Sequence, residues 1–190
     1  MRIIAGYFRG RKILPPASEI TRPITDRVKQ SLFDILMPRL AGAVVYDCFA
    51  GTGSMGLESL SRDASVAVFF EMDRAAQQRL RQNIAALDVE PTSRIVAGDI
   101  FRLLSKAADL PPADIIFLDP PYRMVREQPA ALQKLAGELA GYLKADGVLV
   151  FRHDAADVLS LPPLVCQDQR TYGGMILEFL HHGPAVPSMV

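Results

Sequence analysis

The sequence Ala113-Asp114-Ile115-Ile116-Phe117-Leu118-Asp119-Pro120-Pro121-Tyr122 decides the fold. Its first six residues form an apolar run between two proline pairs, and such a run is typical of a strand that is buried on both faces of a sheet. The second proline pair ends the strand, because proline has a fixed φ angle and no amide hydrogen to donate. We therefore expect an acid, a rigid turn and an aromatic ring at the carboxyl end of a strand, where open α/β sheets bind their ligands.

The residues that end this stretch suit the binding of a planar amine. The Asp119 carboxylate and the Pro120 carbonyl can both accept hydrogen bonds from an exocyclic NH2 group, and the Tyr122 ring can stack on a flat heterocycle. The alternative is an ordinary strand-ending turn in which the acid has no function. The candidate catalytic residues are Asp119, Pro120, Pro121 and Tyr122.

A glycine-rich loop lies upstream, in the sequence VVYDCFAGTGSMG at residues 44–56. It predicts a strand, a tight turn at Gly51 and Gly53, and a helix in which Gly56 allows close contact with a strand. The acid Asp47 precedes these glycines, and a carboxylate there would repel a pyrophosphate but attract the ammonium group of an amino-acid moiety. Although dinucleotide enzymes share the glycine pattern, the position of Asp47 favours S-adenosylmethionine.

Two further acids follow strand-like segments and fit the nucleoside part of such a ligand. Glu71 ends the predicted strand 65–70, where an acid can accept hydrogen bonds from both ribose hydroxyls. Asp99 follows the predicted strand 94–97, and either binds an adenine amino group or caps a helix. The candidate cofactor-binding residues are Asp47, Phe49, Gly51, Gly53, Glu71, Met72, Asp99 and Ile100.

The chain of 190 residues has no net charge and the composition of an ordinary soluble enzyme. No apolar run approaches the ~20 residues of a membrane span, and the first residues lack a signal peptide's apolar region, so we expect a cytoplasmic protein that does not contact membranes. The two cysteines, Cys48 and Cys166, and the three histidines lack metal-ligand spacing. We therefore expect reduced thiols and no bound metal.

The positive charge is concentrated at the beginning of the chain. Residues 1–30 carry seven basic and two acidic side chains, which gives this segment a charge of +5 and the remainder a charge of −5. The pattern predicts a hairpin of strands 1–5 and 11–14 with Tyr7 and Phe8 at its tip, which suits a phosphate backbone and unpaired bases. The alternative is a solvated edge hairpin whose charges prevent aggregation. The candidate RNA-binding residues are Arg2, Arg9, Arg11, Lys12, Arg22, Arg27, Lys29 and Arg123.

The alternation of strands and helices through residue 152 predicts a parallel sheet with helices on both faces. Thr25 and Asp73 are the expected N-caps of two helices, the second spanning residues 74–87. Tyr172-Gly173-Gly174 predicts a hairpin turn between two final antiparallel strands. The other expected elements are helices at 101–108, 129–143 and 155–159, and strands at 147–152, 164–170 and 175–181.

The chain resembles the RsmD family of 16S ribosomal RNA guanine-N2 methyltransferases over nearly its whole length. The resemblance is carried by RIIAG at 2–6, RGRK at 9–12, RPITDRV at 22–28, DCFAGTG at 47–53, GLE at 56–58, EMDR at 71–74 and DPPY at 119–122. It implies the class I S-adenosylmethionine-dependent methyltransferase fold, which is Rossmann-like α/β, with a mostly parallel seven-stranded sheet and an N-terminal β-hairpin and helix extension. It also implies S-adenosylmethionine as cofactor, and a guanine N2 in assembled or assembling small ribosomal subunits as target.

We expect one methyltransferase domain over residues 1–190, acting as a monomer. Within it we expect an RNA-binding hairpin and helix at 1–40, a Rossmann-like core at 41–182 and a flexible tail at 183–190. The main alternative function is a DNA adenine-N6 methyltransferase, which uses the same Asp-Pro-Pro-Tyr arrangement on an equivalent amine, although 190 residues leave no room for a sequence-reading domain. A small-molecule or protein methyltransferase and a non-catalytic RNA-binding protein are further alternatives.

Overall fold

A twisted sheet of seven strands forms the centre of the protein, in a computed structural model that describes residues 1–16, 24–104 and 109–183. The strand order is β3-β2-β1-β4-β5-β7-β6. The first five strands in the chain run parallel, whereas β7 lies antiparallel between β5 and β6. The strands are β1 (Val44–Asp47), β2 (Val66–Glu71), β3 (Ser93–Ala97), β4 (Ala113–Leu118), β5 (Leu143–Asp154), β6 (Leu164–Tyr172) and β7 (Met175–His182).

Helices cover both faces of the sheet. The helices are α1 (Asp26–Leu36), α2 (Ser54–Ser61), α3 (Arg74–Leu87), α4 (Ile100–Leu103), α5 (Tyr122–Glu127) and α6 (Pro129–Ala140). The first three pack on one face and the last three on the other. Among the described residues, none of these helices combines the length and the apolar character that crossing a membrane requires.

Strand β4 shows why the sequence forms a sheet of this kind. Ile115 and Phe117 belong to the core under α1, α2 and α3, whereas Ile116 and Leu118 belong to the core on the opposite face. All four side chains are almost completely inaccessible to water. An uninterrupted apolar run is needed here because successive side chains of a strand point to opposite faces, and both faces are covered.

The close contact between α2 and the sheet depends on Gly56. A Cβ atom at this position would lie 2.2 Å from Cε1 of Phe69 on β2, closer than any van der Waals contact allows. The expected role of this glycine in helix–strand packing is therefore confirmed. It allows α2 to pack against β1 and β2, and the Gly56 amide itself donates to Asp47, the last residue of β1.

The main expectations for the fold are confirmed. The sheet has seven strands, most of them parallel, and an antiparallel pair at the end of the chain. Thr25 caps α1, with its hydroxyl accepting from the Val28 amide, and Asp73 caps α3 in the same way through the Ala76 amide. The final hairpin turns at Gly173, whose φ of +61° is one that glycine adopts without strain.

Several expected boundaries were wrong. The first residues form the expected antiparallel hairpin, with the Ile3 amide bonded to the Arg11 carbonyl, but one bridge, between Arg2 and Lys12, replaces the two expected strands, since the next amides donate to Glu58 of α2. Residues 155–159 form a turn and irregular backbone instead of a helix. Strand β5 begins at Leu143, which pairs with Ala113, so α6 ends earlier than expected. The expected helix at 101–108 and tail at 183–190 lie partly outside the described residues.

Candidate active site at the junction of β1 and β4

Neighbouring strands β1 and β4 define the site. The chain leaves β1 toward β2 on one side and leaves β4 toward β5 on the other, so a crevice opens at their carboxyl ends. Asp47 ends β1 and is paired in register with Phe117, two residues before Asp119. The two carboxylates, distant in sequence, therefore lie at one edge of the sheet.

The crevice is a cleft with a volume of about 430 Å³, a size typical of small-molecule sites. Its walls come from three parts of the chain: the loop after β1, the turn after β4 with Arg152 of β5, and the N-terminal residues that close one side. The lining residues are Met1, Pro16, Ile24, Asp47, Phe49, Ala50, Gly51, Thr52, Ser54, Met55, Asp119, Pro120, Pro121, Tyr122, Arg123 and Arg152.

Glu71 fixes the glycine loop from the end of β2. One carboxylate oxygen accepts from the Gly51 amide at 2.7 Å, and the other accepts from the Asp73 amide at 2.7 Å. Gly51 and Gly53 adopt φ angles of +55° and +88°, which strain any residue with a Cβ atom. The loop therefore has one well-defined path along the cleft.

Asp47 is a buried acid at the base of the cleft. It is 2% exposed, and its carboxylate accepts from the Gly56 amide at 3.0 Å. Burial raises the pKa of Asp47 to about 7, and the charges of Asp119 and Glu71 act in the same direction. A cationic group in the cleft would favour the ionised form, so this residue suits a ligand that carries positive charge.

Asp119 and Tyr122 share one partner, Arg152. The Arg152 Nε atom lies 2.6 Å from Asp119 Oδ1, and its Cζ atom lies 5.8 Å from the centre of the Tyr122 ring. Tyr122 is the first residue of α5, which begins directly after the proline turn. The acid, the turn and the aromatic ring are thus presented together on the cleft wall.

The structure brings only part of the predicted cofactor set into this cleft. Asp47, Phe49 and Gly51 line it, together with all four residues of the Asp-Pro-Pro-Tyr turn. Gly53, Glu71, Met72 and Ile100 are not among the lining residues; Met72 is 67% exposed and Ile100 is buried in the core.

Asp99 lies in a separate, shallower cleft beside α4 and α6. Its carboxylate accepts from the Phe101 amide at 3.1 Å and caps α4, which is the alternative that the sequence left open. Its other oxygen lies 3.5 Å from Arg102 Nε. An adenine contact at Asp99 stays a prediction. In that case the Asp99 carboxylate would accept from both the Phe101 amide and the adenine amino group.

The predicted RNA-binding residues differ in their solvent exposure and in the partners that they already have. Arg9, Lys12, Arg27 and Arg123 are exposed, and Arg123 also lines the cleft. Arg2 and Arg11 are exposed but engaged, the first with Asp26 at 2.8 Å and the second with the Ala86 carbonyl. Arg22 lies outside the described residues.

The prediction that Lys29 binds RNA was wrong. Lys29 is 2% exposed, and its ammonium group lies 3.1 Å from the Glu58 carboxylate and 2.9 Å from the Arg2 carbonyl. Glu58 also accepts from Arg62 and from the amides of Ile4 and Ala5. Lys29 is a structural cation that ties α1 and the N-terminal arm to α2.

Arg152 is the site residue that sequence reasoning missed. It follows the apolar run of β5, and its neighbour Phe151 is paired with Leu118, so it lies beside Asp119 at the same sheet edge. The sequence signal for Arg152 was its position directly after the apolar residues 148–151. Recognising it requires knowing that β5 is the neighbour of β4.

Comparisons with known proteins agree with this geometry. The family model described as "Conserved hypothetical protein 95" matches residues 1–181. The "Ribosomal RNA small subunit methyltransferase D" of Escherichia coli is 45% identical over 123 residues, which are 65% of this chain and 61% of the relative. The chain thus spans about three fifths of the length of that curated relative.

Two solved structures establish the fold. The structure titled "Putative methyltransferase yhhF" from Escherichia coli has a TM-score of 0.82 and 32% identity, and the match covers 97% of this chain and 98% of that one. An RNA methyltransferase from Salinibacter ruber, in complex with S-adenosyl-L-homocysteine, has a TM-score of 0.66 and 17% identity, covering 87% and 97%. The predicted class I methyltransferase fold is confirmed.

The buried Asp47 makes stability depend on pH. Its pKa rises from 3.8 to about 7 on folding, so between these values the folded chain binds more protons than the unfolded chain. The free energy of unfolding should therefore fall as pH rises from about 4 to 7, by on the order of a few kcal/mol. Urea denaturation at pH 5 and pH 8 should show a smaller loss in Asp47→Asn than in the wild type.

The exposed acid Asp63 provides the control, since Asp63→Asn should keep the wild-type difference between the two pH values. The three histidines are common to all three proteins, so their contribution cancels in the comparison. An equal loss in the wild type and in Asp47→Asn would show that burial does not perturb this carboxyl group.

Proposed function

We infer the function from the premise that this chain belongs to the RsmD family, whose model, described as "Conserved hypothetical protein 95", covers residues 1–181. We propose that the protein methylates the exocyclic N2 of a guanine in 16S ribosomal RNA, with S-adenosylmethionine as the methyl donor. The observation that carries the proposal is the placement of the Asp-Pro-Pro-Tyr turn in one cleft with Asp47 and the glycine loop.

The donor set of the cleft fits S-adenosylmethionine. When bound, this cofactor supplies an electrophilic methyl group on a positively charged sulfonium. The buried Asp47 would hold the ammonium of its amino-acid moiety, directly or through water, while Phe49 and Gly51 line the same wall. Glu71 would accept the ribose hydroxyls in addition to the two amides that it already binds.

Asp119 and the Pro120 carbonyl would orient the guanine amine. The lone pair of this nitrogen is delocalised into the ring, which makes it a poor nucleophile. Two acceptors that each take one N–H fix the amine and keep electron density on nitrogen, and the charge-assisted bond to Asp119 contributes ~1.5–3 kcal/mol. Proton loss after methyl transfer is easy, so the site needs no general base.

Tyr122 would hold the target base outside its helix. Stacking of a base on an aromatic ring contributes ~1–3 kcal/mol, which offsets an unstacking cost of a few kcal/mol. This role is supported by the position of Tyr122 at the start of α5, in the same cleft lining as Asp119.

The N-terminal arm would dock the RNA. Arg9 and Lys12 are exposed on an arm that α2 holds through Glu58, and Tyr7 is 80% exposed at its tip. A rigid basic surface with an exposed ring matches a phosphate backbone beside an unpaired base. Arg123 at the cleft would carry phosphate contacts toward the target nucleotide.

We further propose that the protein acts as a cytoplasmic monomer on assembled or assembling small subunits. A ribosomal target is presented by RNA and protein together, whereas the basic arm covers only a small surface. With labelled S-adenosylmethionine, methyl transfer should be faster to small subunits than to free 16S RNA. Preferential labelling of adenine in duplex DNA would instead support the alternative function.

Asp119 carries a sharp prediction for this assay. Asp119→Ala should lower kcat by roughly 10²–10³-fold, because a preorganised acceptor for the amine is lost. Asp119→Asn should retain part of the activity, since its amide oxygen still accepts one hydrogen bond. Isothermal titration should give nearly unchanged S-adenosylmethionine affinity for both variants, which also shows that they are folded. Near wild-type turnover of a folded Asp119→Ala protein would exclude the amine-holding role.

The docking surface is tested by the salt dependence of RNA binding. Arg9→Ala combined with Lys12→Ala should reduce the slope of log affinity against log salt by roughly 0.7–0.9 for each lost phosphate contact. Affinity for S-adenosylmethionine should not change, because neither side chain lines the cleft. Lys134→Ala, which removes an exposed lysine of α6, is the matched control and should leave the slope unchanged. An unchanged slope in the double variant would place the RNA elsewhere.

A further inference from the structure

Arg152 is a buried cation at the catalytic edge of the sheet. It lies near the end of β5 and is only 7% exposed. A buried charge is costly unless it is paired, and replacing a buried ion pair by apolar side chains often leaves stability unchanged or improves it. Stability alone therefore gives a weak reason for an arginine at this position.

The contacts of Arg152 point to the reaction. Its Nε atom donates to Asp119 Oδ1 at 2.6 Å, and its guanidinium carbon lies over the Tyr122 ring, 5.8 Å from the ring centre. Burial lowers the pKa of Arg152, but the Asp119 carboxylate outweighs this and the net effect is a raised pKa. One permanently charged group thus touches both residues that would hold the target base.

This arrangement restricts both partners. Asp119 directly follows the last residue of β4. Without the ion pair to Arg152, its side chain could populate several rotamers. The bond from Arg152 to Oδ1 restricts the orientation of the carboxylate. The guanidinium over the Tyr122 ring restricts the position of the ring in the same way.

We propose that Arg152 is a positioning residue that holds the Asp119 carboxylate and the Tyr122 ring at the relative position that a flat base with an exocyclic amine requires. The inference rests on the methyl transfer proposed above. It predicts an effect on the turnover step, because misplacing a reacting group by about 1 Å can cost roughly 100-fold in rate.

The test uses Arg152→Met and Arg152→Lys in the small-subunit assay. Arg152→Met keeps the length of the side chain without its charge, and should lower kcat by roughly 100-fold. Arg152→Lys keeps the charge but loses the planar fork, and should lower kcat by about tenfold. In both variants KM for the RNA substrate and affinity for S-adenosylmethionine should change less than threefold.

The control is Arg126→Met. Arg126 forms an equally short pair, 2.6 Å from Nε to Asp157 Oδ1, but it does not line the cleft. Its removal should leave kcat unchanged. A purely structural role of Arg152 would lower the unfolding free energy of Arg152→Met without a specific loss of turnover in the folded protein.

A double-mutant comparison identifies the route of the effect. In an Asp119→Asn background, Arg152→Met should lower kcat by less than about threefold, because the side chain that it positions is already altered. The proposal is overturned if the kcat losses of Arg152→Met and Asp119→Asn multiply in the double variant, or if kcat is unchanged in either Arg152 variant. If Arg152→Met does not fold, the kcat of Arg152→Lys alone tests the proposal. Absence of methyl transfer by the wild type would instead reject the proposed function itself.

Discussion

The site depends on one topological constraint, the reversal of winding between β1 and β4. These strands are hydrogen-bonded neighbours, but their connections lead to opposite sides of the sheet. A crevice remains at their carboxyl ends, and the acids that follow each strand meet there. Asp47 and Asp119 therefore share a cleft although their strands are far apart in the sequence. The two carboxyl groups differ in their surroundings, since burial raises the pKa of Asp47 whereas Asp119 is paired with Arg152.

A second buried carboxylate connects the N-terminal arm to this cleft. Glu58 of α2 is completely buried and binds Lys29, Arg62 and two amides of the arm. Because α2 begins at Ser54, which lines the cleft, the arm and the glycine loop rest on the same helix. Removing one partner from such a buried network costs several kcal/mol, roughly 3–5. The N-terminal arm and the glycine loop are thus both held by α2.

Local sequence patterns were enough to predict the acidic residues that directly follow the strands. The apolar run of β4 and the acid that follows it define their position by burial and by proline geometry alone. Arg152 and Lys29 could not be assigned in this way, because their partners come from other elements: Asp119 on the turn after β4, and Glu58 on α2. The N-terminal hairpin forms, but its expected strands are reduced to one bridge for the same reason, since the amides of Ile4 and Ala5 donate to Glu58.

The central claim is that this cleft presents a guanine N2 amine to S-adenosylmethionine. Its most direct test is mass spectrometry of the nucleosides released from 16S RNA after small subunits have been incubated with the protein and isotopically labelled S-adenosylmethionine. The account predicts labelled N2-methylguanosine as the product, in an amount that approaches one per subunit and is absent with Asp119→Ala. Label in N6-methyladenosine, or in a methylated ribose, would contradict it.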